Sequence, residues 1–174
     1  MKPKWMLSAC ALLLGCAGPD VQHYRNEQPV FDPVRYFSGK TEGWGMFQKR
    51  SGEVVKRFHV QIAGRSEQGR LILDEHFVYS DGSTQQRVWT LSRQPDGSWR
   101  GTAGDVVGEA VGQLAGNALH WRYTLRLPVD DNVYDVQMDD WMYLQDDTTL
   151  INRTSMSKLG FELGQVTLFF RKLQ

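Results

Sequence analysis

From Gly39 to the last residues, apolar and polar side chains alternate with a period near two, broken at short intervals by turn-forming residues. A strand turns successive side chains to opposite faces, whereas an amphipathic helix needs apolar positions three and four apart, so this pattern specifies strands. The breaks are Ser51-Gly52, Asp81-Gly82, Pro95-Asp96-Gly97, Asp130-Asp131-Asn132, Asp146-Asp147 and Leu159-Gly160, all with the residues that tight turns require. They delimit predicted strands at 41–49, 53–63, 70–79, 84–93, 98–103, 106–114, 117–129, 133–144, 149–157 and 161–172. Parallel neighbours need crossovers of about a dozen residues. None of the connections is that long, so the strands are expected to pair antiparallel in chain order.

Such a meander exposes two strand edges unless it closes on itself. The predicted fold is therefore all-β, an antiparallel up-and-down barrel of about 8 to 10 strands. Each long strand carries one apolar face: Phe58, Val60 and Ile62; Leu71, Leu73, Phe77 and Tyr79; Leu119, Trp121, Tyr123, Leu125 and Leu127; Val136, Met138, Met142 and Leu144. The other faces carry Arg57, His59 and Gln61, then His120, Arg122, Thr124 and Arg126, which suit water. A barrel of this size holds side chains inside and, at the larger end of the range, a small ligand.

The start of the chain obeys different rules. In MKPKWMLSACALLLGC two lysines precede a short apolar run that closes on Leu13-Leu14-Gly15-Cys16. The run is far below the roughly twenty residues that span a bilayer, and it reads as a lipoprotein signal over 1–15, with Cys16 the lipidated N-terminus. Cys10 also follows a small residue, but it would leave almost no apolar run ahead of it. The expected address is the periplasmic face of the outer membrane in a Gram-negative envelope, held by the lipid anchor, because Ala17 is not the aspartate that retains such proteins at the inner membrane. Residues 16–35, polar and containing Pro19, Pro29 and Pro33, read as a flexible tether. Residues 36–174 read as the barrel, with 34–37 a short helical turn that plugs one end.

Removal of the signal leaves roughly 160 residues, enough for one domain with a single core. The 20 basic and 20 acidic side chains are scattered, which gives no electrostatic case for nucleic acid. With Cys10 discarded and Cys16 lipidated, no disulfide is available and the domain must be held by packing. Gly104, Gly108, Gly112 and Gly116 recur every fourth residue without any phosphate-loop ending. Their expected role is to let a strand bend and to leave space inside the barrel.

Polar residues in phase with apolar ones are the informative exceptions, because a buried charge must be paired or useful. Glu75 shares the phase of Leu73 and Phe77, and Arg87 that of Trp89 and Leu91. A three-residue loop at Asp81-Gly82 would set Glu75 opposite Trp89 with Arg87 one diagonal step away, whereas a two-residue turn would set Arg87 opposite His76. Asp140 shares a face with Met138 and Met142, and Asn152 with Leu150 and Met156. These residues read either as a polar anchor for a ligand head group or as a network that fixes strand register. His59, His76 and His120 match no metal-ligand spacing, and no nucleophile motif is present, so no cofactor, metal or catalytic residue is assigned. Two carboxylates such as Glu75 and Asp140 acting as acid and base have no specific feature in their favour.

The motifs Leu71-x-Leu73-x-Glu75-x-Phe77-x-Tyr79-x-Asp81-Gly82, Arg87-x-Trp89, Gly104-Asp105-Val106-Val107-Gly108, Gly116-Asn117-Ala118, Asp139-Asp140-Trp141-Met142-Tyr143 and Asn152-Arg153 resemble, in that order, a family of proteobacterial lipoproteins. That family is a domain of unknown function with a lipocalin-like barrel, and the resemblance covers nearly all of the chain after Phe31. It implies the barrel and the anchor, brings no catalytic residues, and points towards membrane lipid through neighbouring genes for fatty-acyl-modifying enzymes such as cyclopropane synthases. Gly43-Trp44-Gly45 stands where lipocalins carry Gly-x-Trp, so the kinship with lipocalins is architectural. The expected function is a lipid-anchored binder of a small apolar or amphipathic molecule, foremost a fatty acid such as palmitate or another lipid. Glu75, Arg87, Asp140 and Asn152 are its expected polar contacts and Trp89 and Trp141 its apolar walls, while Asp105 and Asn117 are expected to shape turns. The alternatives are an envelope assembly factor whose filled barrel docks a protein, and an enzyme acting on lipid.

Overall fold

The computed structural model describes residues 18–129 and 131–174. The signal, Cys10 and Cys16 lie outside the described residues. Ten strands follow one another: β1 (Gly39–Lys49), β2 (Val54–Glu67), β3 (Arg70–Tyr79), β4 (Thr84–Arg93), β5 (Trp99–Thr102), β6 (Val106–Ala115), β7 (Ala118–Val129), β8 (Asn132–Leu144), β9 (Thr149–Lys158) and β10 (Phe161–Lys172). Every chain neighbour pairs antiparallel, and β1 pairs with both β2 and β10, so the sheet closes into a barrel. The all-β up-and-down expectation holds. Closure gives the backbone groups of the first and last strands partners that an open meander would leave to solvent.

The wall is incomplete at one place. The four-residue β5 bonds β4 only along Thr90–Arg93, and β6 only along Ala110–Gly112. The first half of β4, from Thr84 to Trp89, has no ladder on that side. The register of β6 against β7 also shifts between Val107 and Val111.

One end of the barrel is plugged by α1 (Pro33–Phe37), where Asp32 caps the amides of Val34 and Arg35 and Pro33 sits at the first helical position. Phe31, Tyr36 and Phe37 are buried, and Phe37 meets Phe170 edge to face at 6.0 Å. The Tyr36 hydroxyl donates to the Thr148 carbonyl at 2.9 Å, and Lys172 Nζ donates to the carbonyls of Tyr36 and Ser38 at 2.7 and 2.6 Å. Gly64 on β2 makes the plug possible, since a Cβ there would stand 1.8 Å from the Phe37 carbonyl oxygen.

The stretch read as a tether is packed from Val21 onward. Asp20 caps a 3₁₀ turn, Val21–Tyr24, and Val21 is buried against Ala115, Ala118 and Trp141. Further on, the Phe31 amide donates to the Gly116 carbonyl at 2.8 Å. Three apolar residues, Val21, Tyr24 and Phe31, anchor an irregular segment, and irregular packing leaves no periodicity for the sequence to display. The glycine stretch bends as expected, with β6 shifting register around Gly108 at φ +69°, but the space it leaves is not empty. A Cβ at Gly112 would lie 2.1 Å from the Trp121 ring, so the room it leaves is filled by that indole.

Candidate functional site

A cavity of about 870 Å³ runs inside the barrel, from Pro33 and Phe37 at the plug to Lys56, Ser83, Arg126 and Val129 at the opposite mouth. Strand alternation builds its wall: Val60 and Ile62 from β2, Leu73 and Phe77 from β3, Trp89 from β4, Leu119 and Trp121 from β7, Leu168 and Phe170 from β10. Trp89 meets Trp121 at 6.0 Å and Tyr123 at 5.3 Å, both edge on, which fixes the indoles as a rigid wall.

A polar band crosses this apolar chamber. Glu75 stands directly opposite Arg87 across β3 and β4. The Tyr79 amide donates to the Ser83 carbonyl at 2.9 Å, so the loop between them holds three residues. The expected face is kept, but Trp89 pairs with Leu73 instead of Glu75. Arg87 Nε donates to both Asp105 oxygens at 3.0 and 2.9 Å and Nη2 donates to Oδ2 at 2.7 Å, while Nη1 stays 3.8 Å from Glu75 Oε2. Gln85 Nε2 donates to the same Asp105 at 3.2 Å, and Gln85 Oε1 accepts from the Tyr79 hydroxyl at 2.7 Å. These bonds join β4 to the start of β6 where the main-chain ladder is missing. Asp105, expected to shape a turn, is thus the principal partner of Arg87; it lies in a connection, where alternation assigns no face. Asn117 keeps its expected role, donating from Nδ2 to the Leu144 carbonyl at 3.1 Å.

On the far wall Asp140 is only 5% exposed. Asn152 Nδ2 donates to its Oδ1 and to the Trp141 carbonyl, the latter at 3.1 Å, and Thr154 stands beside Asn152. No salt bridge reaches Asp140 among the described residues. Burial lifts its carboxyl to about 7 despite the hydrogen bonds from Asn152 and Thr154. Burial lifts Glu75 to about 7 as well, against the pull of Arg87. The Glu75 side chain keeps 12% of its surface open, and the open part faces the cavity. Burial opposes the charge of Arg87, but the Asp105 bonds and the Glu75 charge outweigh it and hold the guanidinium protonated. The Tyr123 hydroxyl is pushed up by burial and stays neutral.

Of the residues expected at the site, Glu75, Arg87, Trp89, Asp140 and Asn152 all line the cavity. Trp141 does not. It follows Asp140 on β8, so alternation turns it to the outer face, where it stacks on His120 at 4.0 Å and donates to Asp139 at 2.9 Å. His120, expected in water, is buried there, beside Trp141. The three histidines lie apart, near Glu42, Asp74 and Asp139 respectively, and no group of three metal-ligating side chains converges among the described residues. Sequence reasoning gave Asp105 to a turn and missed its pairing with Arg87, and passed over Gln85, Thr154 and the hydroxyls of Tyr79 and Tyr123. The phase of Arg87 and Asn152 would have found the first two of these.

Among solved structures, an S-type phycobiliprotein lyase, CPES from Guillardia theta, superposes with a TM-score of 0.62 over 90% of this chain and 99% of that chain, at 5% identity. Identity that low speaks for the shared lipocalin-like barrel alone. No curated protein matches the chain. A family model described as protein of unknown function (DUF3833) matches residues 10–172, nearly the whole sequence, and the chain belongs to that family.

Proposed function

We propose that the protein is a membrane-anchored carrier or receptor that holds a small amphipathic molecule of the lipid class inside its barrel. The observation that carries this reading is the cavity: about 870 Å³, apolar over most of its wall and crossed by one polar band. Ligand sites typically span roughly 300 to 1,000 Å³ with a few placed polar groups in an apolar lining. A barrel filled with side chains, the alternative weighed from sequence, does not fit a space of that size. At the same end of the barrel as the mouth, the β9–β10 turn carries Leu159, 85% exposed, and Phe161, 71% exposed. Exposed groups of this kind favour the approach of an apolar ligand over that of a polar one.

The anchor is part of the proposal. Lipid on Cys16 would hold the protein on the periplasmic face of an outer membrane, and burial of Val21 beside the β6–β7 turn would place the mouth on the far side from the anchor. The test is native mass spectrometry of the Cys16→Ser protein, exported and purified without detergent. Extra mass that denaturation releases as an amphiphile supports the carrier. A bare mass that persists after incubation with envelope lipid extract refutes it. Binding inside the barrel should also quench Trp89 and Trp121, and a Trp141→Phe change should leave that response in place.

A further inference from the structure

The charges inside the cavity are unevenly matched. The carboxyl groups lining it are Glu75, Asp105 and Asp140; the cations are Arg87 in the band and Lys56 and Arg126 at the mouth. Lys56 already lies 3.3 Å from Asp81, and Arg126 3.6 Å from Asp135. Arg87 is committed to Asp105 through three hydrogen bonds, and that pair closes the gap in the wall between β4 and β6. Among the described residues, every cation that lines the cavity already has a carboxylate partner.

Two carboxyls are left over. Glu75 has no hydrogen bond among the described residues, and its nearest cationic atom, Arg87 Nη1, is 3.8 Å away. Asp140, more than nine-tenths buried and lining the cavity, is held only by the neutral Asn152 and Thr154 and has no countercharge within salt-bridge distance among the described residues. The Tyr123 hydroxyl, which also lacks a partner among the described residues, faces the same space from β7. A carboxylate or phosphate entering this chamber would add like charge to a region that already holds an excess of acid. A positively charged donor would supply the missing partner, and pairing is what makes a buried charge tolerable.

On the carrier reading above, we propose that the head group accepted by this cavity is a positively charged hydrogen-bond donor, such as a primary ammonium on an aliphatic chain. Asp140 and Glu75 receive it, and anionic amphiphiles, free fatty acids among them, are excluded. Burial raises the proton affinity of both carboxyls, that of Glu75 despite Arg87, which agrees with a site short of positive charge. Occupation by an ammonium favours their ionised forms, so binding near neutral pH releases protons to solvent.

The test uses the full chain with Cys16→Ser and three probes of equal chain length below their micellar range: dodecylammonium, dodecanol and dodecanoate. Affinity is read from tryptophan quenching and confirmed by native mass spectrometry. The expected result is that dodecylammonium binds at least about tenfold more tightly than dodecanoate. Asp140→Asn and Glu75→Gln should each bring the ratio of amine to alcohol affinity towards one in protein with an unchanged near-ultraviolet dichroism spectrum. Dodecanoate binding as tightly as the amine, or an amine preference that survives both substitutions, overturns the charge assignment and leaves the carrier reading standing. Failure of all three probes to bind overturns both.

Discussion

Replacing Arg87 with methionine keeps most of the side-chain volume and removes the charge. Asp105 then loses three hydrogen bonds and retains only Gln85 at 3.2 Å, and Glu75 loses its one nearby cation. Glu75 can answer by staying protonated, because its carboxyl is already lifted to about 7. Asp105 lies where the main-chain ladder between β4 and β6 is absent, so its bonds to Arg87 hold the wall there. Removing one partner from a buried ion pair costs about 3 to 5 kcal/mol, and this pair, with side chains 14% and 24% exposed, should lie near the lower end. For a domain of this size that lowers the melting temperature by about 10 °C, taking about 2 to 4 °C per kcal/mol. Urea unfolding at pH 7.5 should show this loss with an unchanged slope. Arg87→Met combined with Asp105→Asn should recover more than half of the deficit. A loss below about 1 kcal/mol, the range of exposed pairs, would refute the view that this pair is a buried staple. A double variant no more stable than the single one would refute it equally.

Three further outcomes follow from other parts of the structure. Burial raises Asp140 from its ordinary value near 4 to about 7, so between those pH values the folded protein holds a proton that the unfolded chain has released, and stability falls as pH rises. Asp140→Asn should therefore be no more stable than the parent at pH 4 but more stable by about 2 to 4 kcal/mol at pH 8; parallel stability profiles would contradict the burial argument. Gly64→Ala places a methyl group 1.8 Å from the Phe37 carbonyl oxygen. It should cost about 1 to 3 kcal/mol and speed hydrogen exchange in α1 and at Ser38 ahead of the barrel strands; uniform exchange would mean that the plug and barrel open together. Leu159 sits in the β9–β10 turn at φ +50°, a conformation that asparagine tolerates better than leucine. Leu159→Asn should raise the melting temperature by a degree or more while removing an exposed apolar group, and a lower melting temperature would show that this leucine supports the fold.

Much of the site was legible because a strand gives only two choices of face. Once Leu73 and Phe77 point inward, Glu75 between them must as well, and the same logic placed Arg87, Asp140 and Asn152. That rule also forbids Asp140 and Trp141 from sharing the cavity, and Trp141 accordingly lies outside. Asp105 escaped because connections have no alternation, and the exact partner of Glu75 escaped because a shift of two residues preserves the face while changing the neighbour. Val21 and Phe31 went unrecognised since their burial depends on surfaces supplied by Trp141, Gly116 and Phe37, which no local pattern announces.

The amino-acid sequence by itself determined the strands, their antiparallel order, the need for closure and the inward set of side chains. These are properties of local periodicity and of turns, and each depends on residues close together in the chain. Only the tertiary structure decided that the interior is open, that Val21 and Phe31 of the preceding segment are packed against the barrel, and that Arg87 is committed to Asp105. A cavity is what remains after side chains from ten strands have shared one interior. Its volume and its uncompensated charge therefore depend on distances between residues far apart in sequence, and periodicity carries no information about those distances.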